Sequence, residues 1–396
     1  MIDIFNEIRQ INKKIISWRR ELHKIPEIGL NLPNTMAYIC SKLDSMGVEY
    51  RVHKKTSGIE GVLMGSEPGK TIALRADMDA IPIEEKTGLP YASNNGNMHA
   101  CGHDCHMAML LGAIKVLNLN RDKIKGNIKF IFQPGEEGYC GAKEMINEGV
   151  LENPKVHAMI GLHVTNALNG VSNGKIGIGY GPLMASSDTF KVKIIGKGSH
   201  GARPEMGVDP VVISAQVITA LQSIVSREIG VSQNLVITVG KIHGGTVPNT
   251  IPDYVEFEGT VRTLDEELRR NVAKRIEQIV SNVTKSMLGN YELSYNFRYP
   301  PVVNNIQLTK EIKESIEKVV GKDGVVEIES PIMAGEDIAY FFQEVPGTYL
   351  HLGSVIENQE EKITMHNPKF QVNEDVLWIG SAVLAQSGID WLSRNM

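Results

Sequence analysis

The chain has 396 residues, 42% of them hydrophobic and 22% charged, with a net charge of −5. That length exceeds one ordinary core and calls for two domains of a folded, not disordered, protein. The acidic excess argues against nucleic acid or an anionic membrane as partner and leaves a small molecule as the expected one. No apolar run is long enough to cross a bilayer, and Asp3, Glu7, Arg9, Lys13, Lys14, Arg19 and Arg20 interrupt the first twenty residues, which predicts no signal peptide. The four cysteines, Cys40, Cys101, Cys105 and Cys140, make no disulfide framework and suit a cytoplasmic location.

In chain order, apolar residues Ile4, Phe5, Ile8, Ile11, Ile15, Trp18 and Leu22 predict one helix over 3–24, ended by Pro26. His23 and Glu27 then read as ordinary surface polar groups. A second helix is predicted over 33–46, closed by Gly47. The strand-like run 71–76 ends in Asp77-Met78-Asp79, the run 127–133 in Pro134-Gly135-Glu136-Glu137-Gly138, and the run 156–162 in His163. Between the first two, a loop at 94–97 leads into His99-Ala100-Cys101-Gly102-His103-Asp104-Cys105-His106, and from His106 the chain reads as a buried helix. Three strands finishing in residues that hold ions or move protons is the pattern of an open α/β sheet, whose sites lie beyond the carboxyl ends of its strands.

From 183 to 299 the order changes to strand 187–195, helix 208–229, strands 234–242 and 253–262, helix 264–287 and strand 291–298. This β-α-β-β-α-β order is that of a ferredoxin-like α+β unit, here inserted into the first domain. The expected division is 1–182, catalytic domain, first part; 183–299, inserted domain; and 300–396, catalytic domain, second part. The last part carries helices at 306–319 and 336–343, a strand at 347–353 and a closing helix at 373–393.

Cys101, His103, Glu137 and His163, with His366 in His366-Asn367-Pro368-Lys369-Phe370, are candidate metal ligands. Five donors exceed what one catalytic Zn²⁺ takes and suit two ions joined by a shared ligand, with Cys101 best explaining why sulfur is present. Neighbours Glu136 and Glu137 on a bent loop point apart, so one can bind metal while the other serves as general base and then protonates the leaving amine. Other readings stand beside these: surface histidines with structural cysteines, a solvated acidic turn, or Cys101 as a metal-free thiol nucleophile. His53, His157 and His243 read as surface or core residues, His99 and His106 as supporting groups, and Cys40, Cys105 and Cys140 as small core side chains.

Five segments together resemble the M20 metallopeptidase family: Arg75-Ala76-Asp77-Met78-Asp79-Ala80-Ile81-Pro82, Met98 through His106, Gln133 through Gly138, Gly161-Leu162-His163, and Gly198-Ser199-His200-Gly201-Ala202-Arg203-Pro204. The resemblance runs from about residue 13 to the C-terminus. It is closest to the amidohydrolase branch, which includes hippurate hydrolases, auxin-conjugate hydrolases, aminoacylase-like enzymes and N-acetyldiaminopimelate deacetylases. It implies an α/β fold: a zinc-peptidase-like catalytic domain with an inserted ferredoxin-like α+β domain that acts as lid and dimerisation element. It implies Cys101, His103, Glu137, His163 and His366 as ligands of two divalent ions (Zn, Mn, Co or Ni), Glu136 as general acid/base, and Asp79 as support for the metal site. His200 matches a histidine that reaches the substrate carbonyl or carboxylate, often across a dimer interface. Asn249 matches a position near the substrate, and Arg262 a group for carboxylate recognition. In more distant peptidases of the family the position of Asp77 is a metal-binding histidine and a bridging aspartate is usual, so this chain departs from them and agrees with the amidohydrolases. Glu336, in Met333-Ala334-Gly335-Glu336-Asp337, matches a loop beside the site.

The implied activity is hydrolysis of N-acyl-L-amino acids. Carboxypeptidase or dipeptidase action is the alternative within the family, and a non-catalytic binding homologue is the alternative outside enzymes.

Overall fold

The computed structural model describes residues 3–356 and 363–395, which form two compact units. One comprises Met1–Gly181, Val303–Ser330 and Asp337–Met396; the other comprises Pro182–Val302 and Pro331–Glu336.

The first unit opens with α1 (Ile4–Gln10) and α2 (Asn12–His23) in place of one continuous helix. The chain turns at Ile11, whose N–H bonds to the Ile8 carbonyl three residues back at 3.0 Å. After that tightened turn the two halves lean chiefly on different helices. α1 sets Phe5 against Trp378, with ring centroids 5.1 Å apart, and α2 packs on the helix that starts at His103. Next comes α3 (Pro33–Ser45), and Glu27 is no idle surface group: its carboxylate accepts from the backbone N–H of Asn34 at 3.2 Å and of Thr35 at 2.9 Å, capping that helix.

Strands β1 (Tyr50–Val52), β2 (Ile59–Met64) and β3 (Glu67–Asp77) lead to α4 (His103–Leu119). β4 (Lys125–Gln133), α5 (Gly141–Asn147), β5 (Ala158–Thr165) and β6 (Ile176–Ile178) follow. All of α4 except Lys115, Asn118 and Leu119 is buried. Such a helix has no solvent-facing polar stripe, and burial contributes roughly 1.5–3 kcal/mol for each of Leu110, Leu111, Ile114 and Leu117.

The second unit is built from β7 (Ser187–Ile195), α6 (Pro210–Ser223), β8 (Leu235–Gly244), β9 (Tyr254–Thr263), α7 (Glu266–Ser286) and β10 (Asn290–Tyr299). Its strands pair antiparallel in the order β8-β9-β7-β10, the ferredoxin-like arrangement expected from the order of its elements. Phe190, Val192, Phe257, Ile213, Val217 and Ile276 form the core between sheet and helices.

The first unit then resumes with α8 (Ile306–Val320), β11 (Val325–Glu327), α9 (Ala339–Glu344), β12 (Gly347–Gly353) and α10 (Leu377–Arg394). Its sheet has eight strands in the order β1-β2-β4-β3-β5-β12-β6-β11. The four central strands β4, β3, β5 and β12 run parallel. Apart from residues 67–70 at the start of β3 and Lys125 at the start of β4 they are buried, as parallel strands covered on both faces must be.

Candidate active site

Register places the chemistry. Asp77 at the end of β3 lies opposite Gln133 at the end of β4, and Arg75 lies opposite Gly161 in β5. The loops after all three strands therefore leave from one edge of the sheet. The first of them returns as α4, whose N-cap is Gly102 with φ 94°. A side chain there would come within 2.4 Å of Val164 Cγ2, so this glycine answers both a left-handed backbone and a close approach. The bend sets Cys101 Sγ 3.5 Å from His163 Nε2.

The donors of Cys101, His103 and His163 lie within 4.8 Å of one another, and so do those of Cys101, Glu137 and His366. The two triads share the sulfur. His103 donates from Nδ1 to the Asp79 carbonyl at 2.8 Å. Its Nε2 is buried without a hydrogen-bond partner, which is the state of an imidazole waiting for a cation. His163 uses its Nδ1 on the Val164 carbonyl and turns Nε2 toward Cys101. In the second triad His366 Nε2 is 3.1 Å from Glu137 Oε1.

Electrostatics point the same way. Burial pushes the Cys101 thiol well up, and Glu137, Glu136 and Asp77 push it further. That is the opposite of the surroundings that activate a free thiolate nucleophile, and only added positive charge reverses it. Burial works against protonation of His103, yet Asp77, Asp79 and Glu137 raise it to about 10. Asp77 is itself buried, and His103, His106 and Arg75 hold it well below the usual carboxylate range. The centre thus carries surplus negative charge out of water, and soft and borderline donors that suit Zn²⁺, Mn²⁺, Co²⁺ or Ni²⁺.

Asp79 has a specific task. Its Oδ1 accepts from the Glu136 N–H at 2.9 Å and its Oδ2 from the Glu137 N–H at 3.0 Å. One carboxylate thereby fixes two successive amides, and the Glu137 side chain goes to the triad with Cys101 and His366 while Glu136 stays outside both triads that share Cys101.

The second unit carries the remaining residues named from sequence. His200 pairs with Thr250, and the Asn249 carbonyl accepts from the Gly201 N–H at 2.7 Å, so His200 and Asn249 are close neighbours, both exposed. A groove of about 760 Å³ on this unit is lined by His200, His243, Thr246, Asp253 and Tyr254, among others. Arg262 sits elsewhere, in β9 opposite Val236, with one guanidinium nitrogen buried and unbonded.

One feature escaped the sequence reading, and one supporting role expected from it gains its partners. His23, expected at the surface, is buried; its Nδ1 lies 2.7 Å from Asp104 and its Nε2 3.1 Å from Glu85, with Arg19 Nε 2.7 Å from the same Asp104. This network pins the start of α4, one residue after His103. His106 is bonded to Asp77 and to the Val164 backbone, so it supports the centre and has no free nitrogen for an ion. The doublet Asp77-Met78-Asp79 at a strand end was the available signal for that pair.

Two donor triads joined by one thiol, with the Glu136 carboxylate beside His103 and Glu137, at the carboxyl edge of a parallel sheet, define a metal-dependent hydrolase. The comparisons agree. The chain belongs to peptidase family M20/M25/M40, whose profile matches residues 73–387. It is 40% identical to an N-acetyl-L-cysteine deacetylase of Bacillus subtilis (strain 168) over 386 residues, 97% of this chain and 90% of the relative. It is likewise 40% identical to thermostable carboxypeptidase 1 of Saccharolobus solfataricus over 395 residues, 98% of each. Among solved structures it resembles the Bacillus subtilis YXEP protein, described as a dinuclear metal-binding peptidase of the M20 family, with a TM-score of 0.83, 32% identity, and 98% of this chain and 99% of that one covered. Among the described residues no helix is long and apolar enough to cross a membrane.

Proposed function

We propose that this protein hydrolyses the amide bond of N-acyl-L-amino acids, with Cys101, His103 and His163 holding one divalent ion, Cys101, Glu137 and His366 holding the second, and Glu136 as general acid/base. The observation that carries the reading is the division of labour that Asp79 imposes. It fixes the amides of Glu136 and Glu137, so that Glu137 joins the triad with Cys101 and His366 while Glu136 stands beside His103 and Glu137 without entering either triad that shares Cys101, the place from which it would move a proton. Bound ions would polarise the scissile carbonyl and make water acidic enough to attack. Glu136 would take the proton from that water and hand it to the departing amine nitrogen. Relatives support the choice of bond, since one is named a deacetylase of an N-acetylated amino acid.

Purified protein, stripped with a chelator and reloaded with Zn²⁺, Mn²⁺, Co²⁺ or Ni²⁺, should release free amino acid from N-acetyl-amino acids or hippurate. Glu136→Gln should lower turnover by about 10²–10⁴-fold with metal content unchanged; full activity in that variant would sink the assignment. A relative named as a carboxypeptidase supports a second reading, peptide substrates at the same centre. Faster cleavage of C-terminally free peptides than of acyl-amino acids would select it.

His200 and Asn249, with Arg262 as a further group, would recognise the substrate from the inserted unit, which would act as a lid. The same unit would form a homodimer: β8 is an edge strand, and Val236, Ile242, Val211 and Val212 expose apolar surface on β8 and α6. A monomeric mass by light scattering would count against the dimer, and identical scattering profiles with and without substrate against the lid. The four cysteines are unpaired, which supports a cytoplasmic location.

A further inference from the structure

Asp77 and His106 are buried beside the centre, and neither belongs to the donor triads that share Cys101. Their hydrogen bonds have a fixed direction. The Val164 backbone N–H donates to His106 Nε2 at 2.9 Å. That nitrogen therefore carries no proton, and the ring's single proton sits on Nδ1, donated to Asp77 Oδ1 at 2.5 Å. Asp77 Oδ2 is occupied in turn by Arg75 at 2.8 Å, and Arg75 is anchored by Gln133 at 2.8 Å and Asp337 at 3.1 Å.

The end of this chain of bonds is what matters. Val164 directly follows His163, and β5 has already run past Gly161, its last register partner with β3. Beyond that point the strand needs another partner on this side, and His106 supplies it. The same ring stands edge-on to the His163 ring, with centroids 4.4 Å apart. His106 thus touches the ligand residue twice, once through the next amide and once through the ring.

We propose that Asp77 and His106 are a positioning pair that sets the orientation of His163, and through it the affinity of the Cys101–His103–His163 triad for its ion. Neither is a ligand: Asp77 Oδ2 lies 3.7 Å from His103 Nε2 but is engaged by Arg75, and both nitrogens of His106 are spent. The inference rests on the reading of the two triads as a metal centre.

The test is Co²⁺ titration of the metal-stripped full-length protein, followed by the thiolate-to-cobalt absorption band and by bound metal per chain. His106→Phe keeps the ring volume and removes both bonds; it should weaken uptake at one of two sites by about 10–100-fold and alter the band. His106→Gln restores an acceptor near the Val164 N–H and should recover part of the affinity, whereas His106→Asn, which restores only the donor to Asp77, should not. Asp77→Asn should give a smaller loss, and it carries the test should the His106 variants fail to fold. Wild-type affinity and an unchanged band in the folded variants would overturn the proposal. So would Asp77→Asn abolishing one ion while His106→Phe leaves both, which would make Asp77 a ligand. A wild-type protein that takes up no Co²⁺ would instead remove the metal-centre reading, and this inference with it.

Discussion

The two halves of the candidate centre share a sulfur and differ in almost everything else. His103 begins a buried helix and His163 lies in a central strand, and both are buried. Glu137 and His366 sit on loops. His366 is 53% exposed and takes a left-handed backbone, φ 62°, that side chains other than glycine seldom adopt. It is held by its N–H to the Ala100 carbonyl at 2.8 Å, and its loop by the Lys86 N–H to the Pro368 carbonyl at 2.8 Å. Donors on regular elements are preorganised, whereas donors on loops must be ordered when the ion arrives. The same ligand chemistry should therefore give a tight inner site and a labile outer one.

The largest effect should come from the residue the halves share. Cys101→Ala removes a donor from each triad and should leave less than one ion per chain and activity down by about 10³-fold or more, on the scale of losing a group that acts with others as a unit; two retained ions by elemental analysis would show that the sulfur does not bridge. Next, the halves should separate under competition. Dialysis against a weak chelator should remove one ion from wild type, His366→Ala should keep one tightly held ion, and His103→Ala should keep none at micromolar metal. Equal loss from both single variants would erase the distinction drawn above. The smallest effect belongs to Asp79→Asn, which leaves one oxygen to serve two amides. We expect kcat to fall about 10–100-fold with both ions retained, the usual scale for a group that orients a ligand from behind. Unchanged kcat would show that the Glu136–Glu137 turn holds itself.

Legibility in the sequence divides along similar lines. Long apolar runs made the four central strands and α4 readable, and the two helices and four long strands of the inserted unit show in their periodicity because each packs one face on its own small core. β1, β6 and β11 have three residues each and exist only because a neighbouring strand offers hydrogen bonds, which no local pattern announces. The turn at Ile11 is equally silent, since the residue that Phe5 of α1 packs on, Trp378, lies at the far end of the chain. At the centre the donors were visible as motifs, and Asp79 and His106 as supports, but the atoms those supports hold were not. His23 looked like a surface residue because its partners Asp104 and Glu85 lie 81 and 62 residues away. Whether a histidine is ligand or prop depends on which of its nitrogens a distant backbone amide has already claimed, as His106 and Val164 illustrate.

The position of β12 has a consequence for biosynthesis. It lies between β5 and β6 in the sheet, although it is made only at Gly347–Gly353. While the polypeptide emerges from the ribosome, the four strands of the inserted unit's larger sheet are already present and can pair, but the main sheet has a gap between β5 and β6 until nearly nine-tenths of the chain exists. Translation that stops before Gly347 should accordingly yield a folded inserted unit joined to an open, aggregation-prone half-sheet.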